Sequence, residues 1–462
     1  MMMRRRSWLY LSLAGVMACG SVKTGSLPDA PLAPGDTGGD PTDGNNTGDA
    51  SLRGTVRVTV LDPGATGAPA VGANVVFIDP DGSLVKRAAT DTSGKADADV
   101  LPGASVTSVA VVGTSSQIFT VLAVKPGDDL VMGNKSLDTT MGTFTVNFPL
   151  FPNAAPGQMI SYAVSGPCGA VAGIVPGAND TAVSATVTVL NHCKQDTMEI
   201  VVTAQDTATA VVLGVLDKPG VVFVNNGVVT MPTQYQSARN FTASYTNVNP
   251  IITSLSMSRA VPDGFGVVNA KSVTTPTASV ALSLTGGVGA GARIETSVVN
   301  TGRSIQRVRQ NIAGNAASYG LDVGATLLPW LPTPSYDAAT RTLVVPTDAT
   351  GVGTAKPDAF RIVANYRRTD ATTNVISAFN WTIYGPDAVN ITLPVLPPEL
   401  GDIAPTADDT VSANDLMFDA EAAASYDAVR GDLSQAFVVF QGARPPGNTI
   451  RISSSPLLRQ LP

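Results

Sequence analysis

An all-β chain built of tandem β-sandwiches is the fold class this sequence predicts, and three observations predict it. Short Val- and Thr-rich runs such as GTVRVTVLDPG, ANVVFIDPDG, SATVTVLNHC and MEIVVTAQD carry the two-residue alternation and β-branching of half-buried strands. These runs are punctuated throughout by 44 Gly and 33 Pro, which break helices and mark turns. Charged residues make up only 14%, against about 25% in an average globular domain. Past the N-terminal signal, no apolar stretch approaches the ~18 residues that a membrane helix needs. Aromatics at 5% argue against a transmembrane barrel, which needs girdles of them.

Arg4, Arg5 and Arg6 precede an apolar stretch from Trp8 to Ala18 that is too short to cross a bilayer, and small residues lead into Cys19. Residues 1–18 therefore predict an export signal. Val16-Met17-Ala18-Cys19 resembles the bacterial lipobox, which implies that Cys19 becomes the lipidated (palmitate-bearing) first residue of the mature chain and that the membrane is a partner through this anchor. Simple cleavage after Ala18 would instead leave an unpaired thiol in an oxidising compartment. Gly20 behind the cysteine, where such families often carry aspartate for inner-membrane retention, implies an outer-membrane lipoprotein of the cell envelope, facing the periplasm or the surface. Arg5-Arg6-Ser7-Trp8-Leu9 also resembles a twin-arginine signal, but general secretion is the better match. The rest of residues 19–50 is Gly, Pro, Asp, Thr and Asn without apolar period, a tether that cannot bury enough surface to fold. About 30 flexible residues reach roughly 30 Å.

Residues 51–135 begin with a leading strand from Arg53, continue through the small-residue stretch Gly67-Ala68-Pro69-Ala70-Val71-Gly72-Ala73 and a strand from Asn74 to Ile78, and reach Thr90-Asp91-Thr92-Ser93-Gly94. This stretch resembles a carboxypeptidase-regulatory-like or related immunoglobulin-like or transthyretin-like domain. The resemblance implies a Greek-key β-sandwich used as a spacer or recognition module, with no catalytic residues to carry over. Independently, Asp81-Gly82 between two strand patterns predicts a hairpin.

Residues 136–225 predict a second sandwich. Cys168 and Cys193, on strand-like segments of an exported chain, predict a disulfide within it. Pro149 and Tyr162 recur as Pro232 and Tyr245, both offset by 83 residues, which suggests tandem modules. Residues 226–398 then read as a β-rich region of one or two sandwiches, with an echo at Pro346 and Tyr366. Past the proline-rich connector LPVLPPELGDIAPTADD, residues 399–462 contain SANDLMFDAEAAASYDAVRG, which fits either a short helix stopped by Gly431 or a long acidic loop, and two closing strands.

Chemistry is sparse in this sequence. His192 is the only histidine, so a triad or a multi-histidine metal motif has no members, and Cys168, His192 and Cys193 lack metal-ligand spacing. Asp79, Asp81 and Asp91 are better suited to capping turns than to calcium, because the third acid and distal glutamate of an EF-hand loop are missing. Gly287-Val288-Gly289-Ala290-Gly291-Ala292 formally fits a dinucleotide fingerprint, yet ARIETSVV after it reads as strand and no acidic residue follows at the required distance, so a glycine-rich hairpin turn is the better fit. Net charge of −7 disfavours nucleic acid; Arg303, Arg307, Arg309, Arg367 and Arg368 read as solvated strand faces. Trp330, between prolines in LLPWLPTP, is either packed or a ligand contact on a rigid loop; Trp381, in FNWTIYGP, reads as core. The sequence therefore predicts an envelope-anchored lipoprotein with a structural or binding role, without catalysis or cofactor, whose partner is an envelope polysaccharide or another surface protein. An envelope hydrolase, or its accessory carbohydrate-binding protein, is the alternative.

Overall fold

The structure is a computed structural model that describes residues 52–460 apart from 63–66, 134–139, 167, 191–195, 238–239, 261–266, 286–290, 314–315, 354, 370–371, 373, 387–389, 401–402, 422–424, 432–448 and 456–458. Residues 1–51, with the signal, Cys19 and the tether, lie outside the described residues.

The first sandwich is made of β1 (Gly54–Val60), β2 (Asn74–Ile78), β3 (Leu84–Ala89), β4 (Lys95–Val100), β5 (Ala104–Val112), β6 (Ser115–Val124) and β7 (Asp129–Met132). Alternation decides its faces: Val56, Val58 and Val60 are buried while Arg57 between them is exposed. β1 pairs antiparallel with β4 and parallel with β7, whereas β2 sits between β3 and β5, and β5 pairs with β6. The expected hairpin closes β2 onto β3. Gly82 takes φ of +85° there, Asp79 N donates to Ser83 O at 3.0 Å, and Asp81 Oδ1 accepts from Ser83 N at 2.9 Å.

The same scheme recurs. In the second sandwich, β8 (Thr140–Pro149) pairs antiparallel with β11 (Ala182–Leu190) and parallel with β14 (Gly227–Thr230), facing a sheet of β10 (Gly169–Ile174), β9 (Ile160–Gly166), β12 (Met198–Asp206), β13 (Val212–Val221) and the two-residue β15 (Gln236–Ser237). The expected boundary at 226 falls one residue ahead of β14, which returns to β8. The third sandwich sets β19 (Val280–Thr285), β16 (Asn240–Thr246) and β22 (Ser318–Asp322) against β18 (Val267–Thr274), β17 (Ile252–Ala260), β20 (Gly291–Asn300) and β21 (Ile305–Ala313). β19 and β20 belong to different sheets, and β20 is the strand expected after the glycine-rich stretch; the turn expected at 287–290 lies outside the described residues. Tyr162 lies on the second strand of its sandwich and Tyr245 on the first strand of the next, so the 83-residue offset does not relate equivalent positions.

A short helix α1 (Val323–Thr326), capped by Asp322, leads into the fourth sandwich. There β23 (Ser335–Asp337), β24 (Thr342–Val344) and β27 (Asn390–Thr392) form the small sheet, and β26 (Ile376–Gly385), β25 (Ala359–Thr369), β28 (Ser412–Ala420) and β29 (Thr449–Ser454) form the large one. β23 lies antiparallel where the other three modules have a parallel seventh strand. Much of the segment that fitted a helix is β28, because Asn414, Leu416 and Phe418 share one strand face with the partners opposite them on β25; among its described residues only α2 (Tyr426–Arg430) is helical. β30 (Arg459–Gln460) pairs with the start of β28.

Three of the four large sheets are one sheet. β21 pairs antiparallel with β29, and β26 pairs parallel with β6, so 12 strands run unbroken through the third, fourth and first sandwiches, and β30, paired onto β28 off that path, makes the sheet 13-stranded. The layers switch sides along it. The small sheet of the first sandwich covers one face, and its core of Val58, Phe77 and Phe119 continues into Ala359, Phe418 and Ile452 of the fourth. The small sheet of the fourth covers the opposite face, where Leu343, Ile362 and Trp381 reach Val109 and Ile118 of the first. Trp381 Nε1 donates to Thr120 Oγ1 at 2.9 Å across the junction. The second sandwich keeps its own closed core and meets the third through Val201, Val212 and Val215 against Ala292 and Ile312.

Candidate functional site

At the β6–β26 junction the shared sheet leaves a stretch of one face uncovered. Register places Gln117 beside Asn380, Asn380 opposite Asn365, and Asn365 opposite Ser412, so four polar side chains cross β6, β26, β25 and β28 in a row. Asn is poorly suited to strand interiors, and two of them face each other on central strands of the largest sheet. Asn380 Nδ2 donates to Asn365 Oδ1 at 2.6 Å. Ser412 Oγ donates to the Asn365 carbonyl at 3.3 Å. The side chains of Gln117 and Arg367 have no hydrogen-bond partner among the described residues, although Gln117 is half-buried.

This row floors an open groove of about 560 Å³, whose walls include Ser115, Arg367, Ala378 and Thr410. Behind it, on the other face, Tyr366 and Phe379 stack with centroids 4.8 Å apart and Arg368 lies over the Phe379 ring. Arg368 is anchored to Asp409 at 2.6 Å; burial alone would raise the Asp409 carboxyl, and hydrogen bonds from Arg368 and Thr406 hold it below the ordinary value. A second groove of about 560 Å³ adjoins the first, lined by Ala70, Val71, Ala73, Ala110 and Val112. The two meet at the β5–β6 hairpin, where Val112 pairs with Ser115 and Ala110 with Gln117. A further groove of about 610 Å³ on the fourth sandwich is walled mainly by Ala and Pro, with Arg341 donating to the Pro394 carbonyl.

The residues that the sequence nominated lie elsewhere. Trp330 is not a ligand contact: it is fully buried in the third core, pairs by backbone with Asp348, and spends its indole N–H on Thr350 O at 3.2 Å. Asp91 caps its turn by accepting from Ser93 N and Lys95 N, and Asp79, buried, accepts from Leu101 N and pairs with Arg53. No cluster of metal-ligating side chains occurs among the described residues. Arg430, on α2, is buried against Asp128 and Asp427. Cys168 packs on the second core and its Sγ accepts from Leu190 N at 3.3 Å; His192 and Cys193 lie outside the described residues. No helix among the described residues is long and apolar enough to cross a membrane. The polar row was missed, although Asn in the middle of AFRIVANYRRT and ISAFNWTIYG is the anomaly that marks it.

No family model and no curated protein matches this chain. Among solved structures, it is similar to the Bacillus anthracis TIE protein at 9% identity, over 59% of this chain and 51% of that one, with a TM-score of 0.15. It is also similar to two B repeat units of the collagen-binding protein of Staphylococcus aureus, at 11% identity over 78% of this chain and 92% of that one, TM-score 0.11. The pilus adhesin SpaC from Lactobacillus rhamnosus GG in its open conformation gives 10% identity, 75% and 44% coverage and a TM-score of 0.15. The chain spans about half the length of the TIE protein. The sandwich architecture stands on the strand pairing itself.

Proposed function

We propose that this chain is a non-catalytic binding protein of the bacterial cell envelope, held to the outer membrane by a lipid on Cys19 and presenting the face of its fused sheet to a partner. The 13-stranded sheet carries this proposal, because it turns three modules into one rigid plate with a polar groove at a module junction, where ligand sites commonly form. The tether at 19–50 supplies the reach from the lipid surface. The first module acts as a carboxypeptidase-regulatory-like recognition unit, and a Cys168–Cys193 bond braces the second. Support comes from composition as well: one histidine in 462 residues leaves little for proton transfer.

The test is fractionation of cells expressing the full chain, with intact-mass measurement of the membrane-bound form. A mature protein beginning at Cys19 with added acyl mass is expected, and Cys19→Ala should move it to the soluble fraction. Recovery from the cytosol with residues 1–18 attached would overturn the proposal.

A further inference from the structure

The geometry points to a neutral, hydroxyl-rich polysaccharide strand as the ligand of the shelf formed by Gln117, Asn380, Asn365 and Ser412, an inference that rests on the binding role proposed above. The four strands beneath the shelf are each paired on both sides, so no free edge is offered there to an extended peptide, and recognition falls to side chains. Those side chains are amides and hydroxyls, groups that donate and accept as sugar hydroxyls do. Gln117 is half-buried, lines the groove, and has no hydrogen-bond partner among the described residues, so its amide is open to a ligand. Among the described residues lining this groove Arg367 is the only cation, too little charge for a phosphate polymer. Toward β5 the shelf turns apolar at Ala110, Val112 and Val71, which suits the C–H faces of sugar rings. Five strands from β5 to β28 at about 4.8 Å spacing make a track roughly 20 Å long, enough for several consecutive sugar units.

The test is affinity electrophoresis of the intact chain in native gels containing dissolved dextran, mannan or xyloglucan, with poly-glutamate gels and immobilised gelatin as comparisons. At least one neutral polysaccharide should retard the protein, and Gln117→Ala should weaken that retardation about tenfold with an unchanged unfolding midpoint. Asn380→Ser should weaken it as well; Gln117→Ala keeps the result readable if Asn380→Ser fails to fold. Retardation by none of the three polysaccharides overturns the inference. Retardation that both folded variants retain also overturns it, by placing the sugar site elsewhere. Gelatin binding lost in Gln117→Ala, without retardation by sugar, overturns the ligand class and leaves the broader binding role standing.

Discussion

The second sandwich and the fused body are built on one strand scheme and end in opposite ways. In the first module the sixth strand, β6, reads SSQIFTVLAV, without charge or proline, and β26 pairs along it from Ser115 to Val121. In the second module the equivalent strand, β13, reads VLGVLDKPGV. Its register shifts against β12 between Met198 and Ile200, beside Pro219, and among the described residues only the two-residue β15 covers its outer edge, at Gly214 and Val215. Lysine, proline and irregular pairing are how natural edges avoid further strands. Like topology in the first and second modules thus yields a shared sheet or a sheet of the module's own, according to what the edge strand carries.

The most damaging way to break the plate is at its junction. Trp381 is fully buried and bonded to Thr120 of the first module, so Trp381→Ala should cost about 3–5 kcal/mol in the denaturant midpoint of the fused body. The second module, followed separately by amide exchange, should stay unchanged; a loss shared equally by both would mean that all four modules unfold as one unit. Asp415 sharpens the contrast through pH. Burial pushes its carboxyl up to about 6 from 3.8, opposed by the neighbouring Ser455 hydroxyl. The folded state therefore holds this proton more tightly than the unfolded chain. Its contribution is full below about pH 4 and is lost as pH rises through 6, at most about 3 kcal/mol. Asp415→Asn should flatten the pH profile of the plate between 4 and 7, and an unaltered profile would refute the assignment. The second module is the one for which we propose a disulfide. Cys193→Ser should lower its midpoint by about 3 kcal/mol and leave the plate untouched.

Much of this architecture is legible in the chain, and what is not has a physical reason. VRVTV in β1 and AVSATVTVL in β11 declare their buried faces by alternation alone, and Asp81-Gly82 declares its turn. Local periodicity, however, says which face is buried and nothing about which edge meets which. β6 and β26 are separated by more than 250 residues, so the plate leaves no short-range trace. β28 was ambiguous because DLMFDAEAAA is rich in helix formers that tertiary pairing overrides. Trp330 misled because prolines on both sides suggest exposure, whereas its ring packs in the third core beside Leu327. Asn365 and Asn380 were readable one at a time as misplaced polar residues; only their register shows a row.

The smallest effect on stability tests the edge rule most directly. Lys218 donates to the Thr230 carbonyl at 2.6 Å while Pro219 withholds a ladder donor from the strand. Replacing the pair, Lys218→Thr with Pro219→Val, removes a surface charge and a ring whose loss should shift the second module's midpoint by no more than about 0.5 kcal/mol. The change restores a β-branched run with its full set of N–H donors on an uncovered edge, which resembles β6 more than β13. If charge and proline are what keep this module apart, the double variant should form concentration-dependent dimers in sedimentation, while the parent stays at its own state under the same conditions. A variant that sediments like the parent would instead assign the separation to the irregular register against β12, which the substitution need not repair.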